Sequence, residues 1–345
     1  MSYHSYREDA GTVEQRHGRV LSLTLAACLF SLLLGVSVAG AVGQSAPAPN
    51  NAAVTKAIAA SLKLRSLPGS LNPSLTAIAN GNINNFQGTD MLKQDCDPYA
   101  HMQQVFSPKP CIYGAIKTTR TIVIFGDSYV GNWLPALNEV GANLGYRIAA
   151  FEFPGCLTTF VNPTAGPGGE DPAQVKACEE WHTHLPAAVR ALKPVAILAA
   201  NGAESWGVAG DKGWIEGMQK AFDEMTTTSP KTIRVQIQES PHLPAPAPTC
   251  LAAYASSIQK CDLTYKPGVL GVGLFSGTLV RDQEAAVAAG AALLPTVQWM
   301  CVKDRCPAVV GHMLVYVDED HLTTVYSQYL ATVLQKALVP ILRHG

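Results

Sequence analysis

The chain has 345 residues; 48% are hydrophobic and 15% charged, and 25 Lys plus Arg against 26 Asp plus Glu leave a formal net charge of -1. At roughly 100–200 residues per domain this is one large domain or two modest ones, long enough to bury a core. The balanced charge excludes a chain-wide nucleic-acid footprint, the apolar content excludes a charged disordered chain, and 29 Gly with 23 Pro fit a loop-rich fold, not collagen or a coiled coil.

The first feature in chain order is Val20–Val42, 23 residues without a charge, preceded by Arg16, His17 and Arg19. As a helix it would reach about 34 Å, enough to span a bilayer core. The basic residues would keep 1–19 in the cytoplasm and place the remainder outside. The reading is a single transmembrane anchor at 20–42. A cleaved signal peptide ending in the small residues Ser37–Ala41, or lipidation at Cys28 in the run Leu25-Ala26-Ala27-Cys28, are its rivals. Residues 43–56, with the run Ala46-Pro47-Ala48-Pro49, read as a spacer, and 43–90 as a whole as linker and wrapping segment, leaving 91–345 as the folded domain.

Of nine cysteines, Cys28 lies in the apolar segment; eight follow residue 90. An even number in an exported chain points to disulfides, and short local loops favour 96–111, 156–178, 250–261 and 301–306. Structural zinc is the competing reading, but only 301–306 approaches ligand spacing.

From residue 121 apolar strands alternate with helices. The β-branched run 121–126 reads as a buried strand, 130–144 as a helix despite Pro135, and 146–153 as a second strand. Residues 172–191 read as a helix with a break at Pro186, and 194–201 as a third strand. Then follow a helix at 211–226, strands at 232–239 and 293–300 around a short helix at 281–292, and a last helix at 323–338. This pattern predicts a three-layer α/β/α, flavodoxin-like domain with a mostly parallel sheet. Ligands in such sheets sit outside the carboxyl ends of the strands.

Three clusters fall at those ends. Asp127-Ser128-Tyr129 follows the first strand, where Ser128 is either a nucleophile at a helix start or, with Asp127, a helix cap. Asp318-Glu319-Asp320-His321 precedes the last helix; one short turn can set Asp318 against one nitrogen of His321 and leave the other for Ser128. Asp320 competes for the orienting role, a solvated acidic loop or a metal site of Asp318, Asp320 and His321 are other readings, and His242 and His312 are further candidates for the base. Gly155 and Asn201, after the second and third strands, could donate hydrogen bonds to an oxyanion, or be plain turn residues. Trp133, Trp181 and Trp214 read as core packing.

These residues resemble the SGNH (GDSL-type) hydrolase family, and more narrowly the extracytoplasmic SGNH domain fused behind the acyltransferase-3 domain of cell-surface O-acyltransferases. The likeness is carried by Cys111-Ile112-Tyr113-Gly114, residues 121–137, Phe153-Pro154-Gly155-Cys156, Glu239-Ser240-Pro241, Cys301, Cys306-Pro307, 309–323 and 329–334, and spans about 95–338. The resemblance implies Ser128 as nucleophile, His321 and Asp318 as base and orienter, Gly155 and Asn201 as oxyanion donors, and no cofactor or metal. It departs at the third block, where the usual Gly-x-Asn-Asp is Ala199-Ala200-Asn201-Gly202 with Trp206 nearby. Tyr129 stands where relatives often carry His and could line an acceptor pocket.

The function so implied is serine-dependent O-acyl transfer, with acetyl the expected group, to cell-envelope polysaccharide through an acyl-serine. The alternatives are a carbohydrate or lipid O-acyl esterase and a catalytically silent binding domain. The expected partners are an acylated donor and a glycan acceptor, without nucleic acid. Fused relatives carry many membrane helices where this chain has one apolar segment, so a separate multi-pass membrane acyltransferase is the implied further partner. The implied location is the cell membrane, with the domain extracytoplasmic.

Overall fold

The computed structural model describes residues 52–80, 93–96, 102–157, 159, 172–202, 210–264 and 275–343. All of them belong to the unit Val42–Gly345. The tail at 1–19, the segment 20–42 with Cys28, and Trp206 lie outside the described residues. Among the described residues no helix is long and apolar enough to cross a membrane.

Six strands form the central sheet: β1 (Cys111–Gly114), β2 (Thr121–Gly126), β3 (Arg147–Glu152), β4 (Ala196–Ala200), β5 (Ile233–Ile237) and, after the two-residue β6 (Leu263–Thr264), β7 (Ala292–Leu294). Their order is β1-β3-β2-β4-β5-β7. Every pairing is parallel except β1 with β3. Counted alone, the parallel strands run in the flavodoxin-like order, so the topological switch point lies between β2 and β4. The short pairs β6 with β8 (Arg305–Cys306) and β9 (Val309–Val310) with β10 (Met313–Leu314) lie outside this sheet.

β2 is buried along its whole length, as expected of a strand covered on both faces. Its side chains alternate between two cores. Ile122 and Ile124 join the first with Ile148, Leu198 and Val235; Val123 and Phe125 join the second with Phe151 and Ile197. The first core is closed by α1 (Ala52–Ser61), α3 (Val130–Leu144), α8 (Thr324–Tyr329) and α9 (Ala331–Arg343), which follow in a chain that also contains α2 (Leu75–Ala79). The second is closed by α4 (Pro172–Ala191), α5 (Gly210–Thr226) and the end of α7 (Phe275–Ala288); α6 (Ala247–Ala253) precedes α7. Trp133 belongs to the first core, and Trp181 and Trp214 to the second.

Several boundaries differ from the sequence reading. α1 starts at Ala52, inside the stretch read as spacer, because Val54 and Ile58 bury against the first core. β1 went unforeseen; four residues with half their side chains turned outward give little signal, and pairing with β3 supplies what propensity does not. α4 runs through Pro186 unbroken, since Trp181, Leu185 and Val189 all bury on one face and offset the lost backbone bond. The strand expected over 293–300 covers only Ala292–Leu294; Pro295 lacks a ladder N–H, and Val297–Trp299 is a 3-10 turn. The helix expected at 281–292 starts at Phe275 and ends at Ala288. The last helix is two, divided at Leu330. Within α3, Pro135 supplies no N–H, and the N–H of its neighbour Ala136 is accepted by Ser327 Oγ on α8 at 3.3 Å.

All four expected disulfides are present: Cys96–Cys111, Cys156–Cys178, Cys250–Cys261 and Cys301–Cys306. The zinc reading of the 301–306 pair fails because both thiols are spent in that bond.

Candidate active site

β2 ends at the switch point, and the chain turns there through Asp127-Ser128-Tyr129 into α3. Asp127 is the residue that caps the turn: its Oδ1 accepts the Tyr129 N–H and its Oδ2 the Gly202 N–H, both at 2.9 Å. This carboxylate therefore joins the end of β2 to the loop after β4. Burial pushes it up to about 7, against the pull of the Gly202 and Tyr129 N–H groups and the charge of His321. The ring of Tyr129 lies so close to Gly202 that an added Cβ would fall 2.1 Å from it, which leaves room only for glycine.

The second half of the site comes from the loop between β10 and α8. Asp318 Oδ1 accepts the N–H groups of Asp320 and His321 at 3.0 and 2.8 Å, a tight turn built by one side chain. Its Oδ2 lies 2.7 Å from His321 Nδ1, and His321 Nε2 lies 2.7 Å from Ser128 Oγ. Three of the five residues singled out from sequence thus stand in one hydrogen-bonded line, within the distances a nucleophile, a base and an orienter require. The side chain of His321 is partly buried between them.

The other two occupy the ends of the strands beside β2. The pairing of β2 and β3 extends one residue past the strands, Phe153 N–H donating to Gly126 O at 3.0 Å. Gly155 follows with φ of 75°, a left-handed turn that suits glycine. Cys156, next to it, is tied to Cys178 on α4. Asn201 is buried at the end of β4, with Nδ2 4.0 Å from Met218 Sδ on α5. Of the further base candidates, His312 is exposed at the β9–β10 turn, where its backbone carbonyl receives the Asn72 N–H. His242 is half-buried with Nδ1 3.7 Å from Asp320 Oδ2.

Asp320, the competitor for the orienting role, does fold back onto its neighbour: its Oδ1 reaches 2.9 Å from His321 Nδ1 beside Asp318. Its Oδ2 accepts the Tyr129 hydroxyl at 2.8 Å. Burial pulls the His321 imidazole down, but its bonds to Asp318 and Asp320 outweigh this and raise it to about 11. Burial acts to raise Asp320, yet the same bond with His321 holds it well below the usual carboxylate range. Burial and the Asp320 charge push the Tyr129 hydroxyl upward.

Asn132 went unnoticed in sequence. Its Oδ1 accepts the Leu322 N–H at 2.8 Å, and its Nδ2 donates to Ser240 Oγ at 3.2 Å and to Asp320 O at 3.4 Å. A polar residue on the apolar face of α3, one turn after Ser128, was the available signal. Among the described residues two clusters group metal-ligating atoms, Cys156–Cys178–His182 and Asp318–Asp320–His321. The first pairs a disulfide with a buried histidine whose Nε2 faces Leu157 O at 2.5 Å, which leaves no thiolate for a cation. In the second the carboxylates are already turned onto the imidazole.

The family of SGNH domains described as fused to AT3 domains matches residues 95–336. No curated protein matches the chain. Among solved structures, the periplasmic domain of the Salmonella ser. Paratyphi A lipopolysaccharide acetyltransferase is similar at 18% identity, covering 78% of this chain and 98% of that one, with a TM-score of 0.56. A carbohydrate esterase family 2 enzyme with its carbohydrate binding domain, from Corynascus thermopiles (Myceliophthora fergusii), is 14% identical over 66% of this chain and 67% of that one, at a TM-score of 0.42. A GDSL-like lipase from Bacteroides thetaiotaomicron is 11% identical over 66% and 90%, at 0.38. With its flavodoxin-like sheet and its family match over most of the chain, the protein belongs to the SGNH family, in the subtype of domains fused to AT3 domains, and its chemistry is of that class, acyl transfer or ester hydrolysis.

Proposed function

We propose that the protein transfers an O-acyl group, an acetyl by preference, from an acylated donor to a hydroxyl of cell-envelope polysaccharide through an acyl-Ser128 intermediate. The observation that carries this reading is the Ser128–His321–Asp318 line, with 2.7 Å at each contact. In its neutral form, once the resting proton is lost, His321 Nε2 takes the Ser128 proton as Oγ attacks the acyl carbonyl carbon, while Asp318 holds the imidazole. The oxyanion is received by the N–H groups of Ser128 and Gly155 and the Asn201 amide, where one donor is worth about 3 kcal/mol. Collapse expels the donor's oxygen, which leaves with the proton from His321. The acceptor hydroxyl then gives its proton to His321, attacks the acyl-serine and restores Ser128.

The likeness to a lipopolysaccharide acetyltransferase periplasmic domain and the AT3-fused family support an envelope glycan as acceptor. Residues 91–345 form the catalytic domain in this reading, held outside the cell by an anchor at 20–42 and supplied by a multi-pass membrane acyltransferase.

The test is labelling of the full chain in detergent with a fluorophosphonate, with Ser128→Ala and His321→Ala as controls, followed by acetylation with a simple ester and a chase with glycan. A Ser128 adduct and glycan-dependent release of acetyl support the transferase. Release to water alone, indifferent to glycan, identifies an ester hydrolase. No adduct on the wild-type chain removes the enzyme reading altogether.

A further inference from the structure

We propose that Asp320 is a second carboxylate partner of His321, a positioning residue that supplies field where Asp318 supplies direction, and that Tyr129 sets its strength. This rests on the reading of His321 as the base for Ser128.

The two carboxylates do different things. Asp318 Oδ2 lies 2.7 Å from Nδ1 in hydrogen-bond geometry, on a side chain 36% exposed. Asp320 Oδ1 lies beside it at 2.9 Å as an ion pair, on a side chain only 9% exposed. A charge in the drier position is screened less and acts more strongly on its neighbour. Asp318 is held by the N–H groups of its own turn, whereas Asp320 is held from other segments of the chain. Its backbone carbonyl receives Ser240 Oγ at 3.2 Å and Asn132 Nδ2 at 3.4 Å, and its Oδ2 receives the Tyr129 hydroxyl at 2.8 Å. The Tyr129 ring in turn packs against His321, centroids 5.5 Å apart, and is fixed from behind by Gly202.

Among the described residues the ionisable groups around His321 come from three elements. Asp127 and Tyr129 face it from the turn after β2; Glu239 and His242 approach Tyr129 and Asp320 from the segment after β5; Asp318, Asp320 and Tyr316 belong to its own loop. Among them only Asp318 and Asp320 reach the ring nitrogen that Ser128 leaves open. Two carboxylates stabilise the imidazolium formed when Ser128 gives up its proton, and they also delay the loss of the resting proton. A hydroxyl donated to Asp320 lowers that carboxylate's basicity, so Tyr129 moderates the pull.

The experiment follows the rate of fluorophosphonate addition to Ser128 against pH, in the full chain, for wild type, Asp320→Asn and Tyr129→Phe. It is paired with NMR titration of 15N-histidine-labelled protein. Asp320→Asn is expected to lower the midpoint of both curves by about one unit or more, the usual effect of removing a close opposite charge. Asp320→Glu restores it in part. Tyr129→Phe keeps the ring that Gly202 accommodates and is expected to move the midpoint upward. A wild-type midpoint in Asp320→Asn overturns the inference. Should that variant fail to fold, an unchanged midpoint in Tyr129→Phe overturns it instead. Absence of any Ser128 adduct in wild type counts against the proposed function, while the histidine titration still reports on Asp320.

Discussion

Asn132 accepts the backbone N–H of Leu322 through its amide oxygen at 2.8 Å, so the helix that begins just after Ser128 also holds the loop that carries His321. The same side chain donates to Ser240 Oγ and to the Asp320 carbonyl. Asn132→Ala leaves the buried Leu322 N–H without its acceptor, while Ser240 Oγ and the Asp320 carbonyl keep each other. It should destabilise the fold by about 1–3 kcal/mol and slow Ser128 labelling by about 100-fold, the penalty for a misplaced base. Denaturant melts and labelling rates on the same preparations check both. Loss of stability with an unchanged labelling rate would show that Asn132 does not position the loop.

Removing the members of the line should have unequal effects. Ser128→Ala and His321→Ala are expected to lose about 10⁴-fold or more in ester turnover, and the double variant little further, because the two act as a unit. Asp318→Asn should lose less than either, since Asp320 remains beside Nδ1. Turnover of a chromogenic acetyl ester by the four proteins decides this.

Stability should depend on pH through Asp127. Its carboxyl is raised to about 7 by burial, against an ordinary value of 3.8. Between those values the folded chain holds a proton that the unfolded chain has released, so stability grows as pH falls from 7 towards 4. Asp282, buried and raised to about 6, acts in the same direction. His321 is raised, so its contribution is complete below about 6.5 and is lost only as pH climbs towards its folded value. Asp320 is depressed, and its contribution is lost only below the ordinary carboxylate range. Neither reverses the trend between 4 and 7; His182, lowered to about 4 by burial, opposes it below about 6.5, and Asp262, raised to about 6 by burial, adds to it, so three raised carboxyls act against one lowered imidazole. Urea melts at pH 5 and pH 8 should show the greater stability at pH 5, and Asp127→Asn should shrink the difference. An equal or larger difference in the variant would move the cause elsewhere.

The Cys156–Cys178 bond closes a loop of 22 residues and anchors the turn that carries Gly155. By chain entropy it contributes about 3 kcal/mol. The double variant Cys156→Ser/Cys178→Ser should therefore melt at lower denaturant. If the Gly155 N–H serves the oxyanion, it should also lose acylation rate at temperatures where it stays folded. The Cys250–Cys261 pair lies by α6 instead, and its removal should lower stability while leaving the rate per folded molecule unchanged.

Much of this was legible before any coordinates. The central strands are apolar runs with no competing periodicity, and the helix–strand alternation leaves few topologies open. Ser128, Asp318 and His321 were legible because a short turn can bring residues three apart together, and because strand ends converge in a parallel sheet. What could not be read is what depends on three-dimensional neighbours. Asp320 folds back onto the residue beside it because Tyr129, Ser240 and Asn132 hold it from three other segments. Asn132 looked like any polar residue in a helix. The division at Leu330 carries no proline or glycine, and its N–H is shared between Tyr326 O and Ser327 O only once α8 packs on α3. β1 depends on a partner strand that follows it in the chain.

The hydroxyl and the imidazole that meet at the switch point are separated by 193 positions in the chain. A ribosome delivers them in that order, and domains form as their residues emerge. The sheet's first parallel strands can assemble while Ser128 is still an ordinary alcohol. In the proposed reaction Ser128 gains its base only when the closing turn docks against them, so a nascent molecule stays inert towards esters until the His321 loop has emerged and packed.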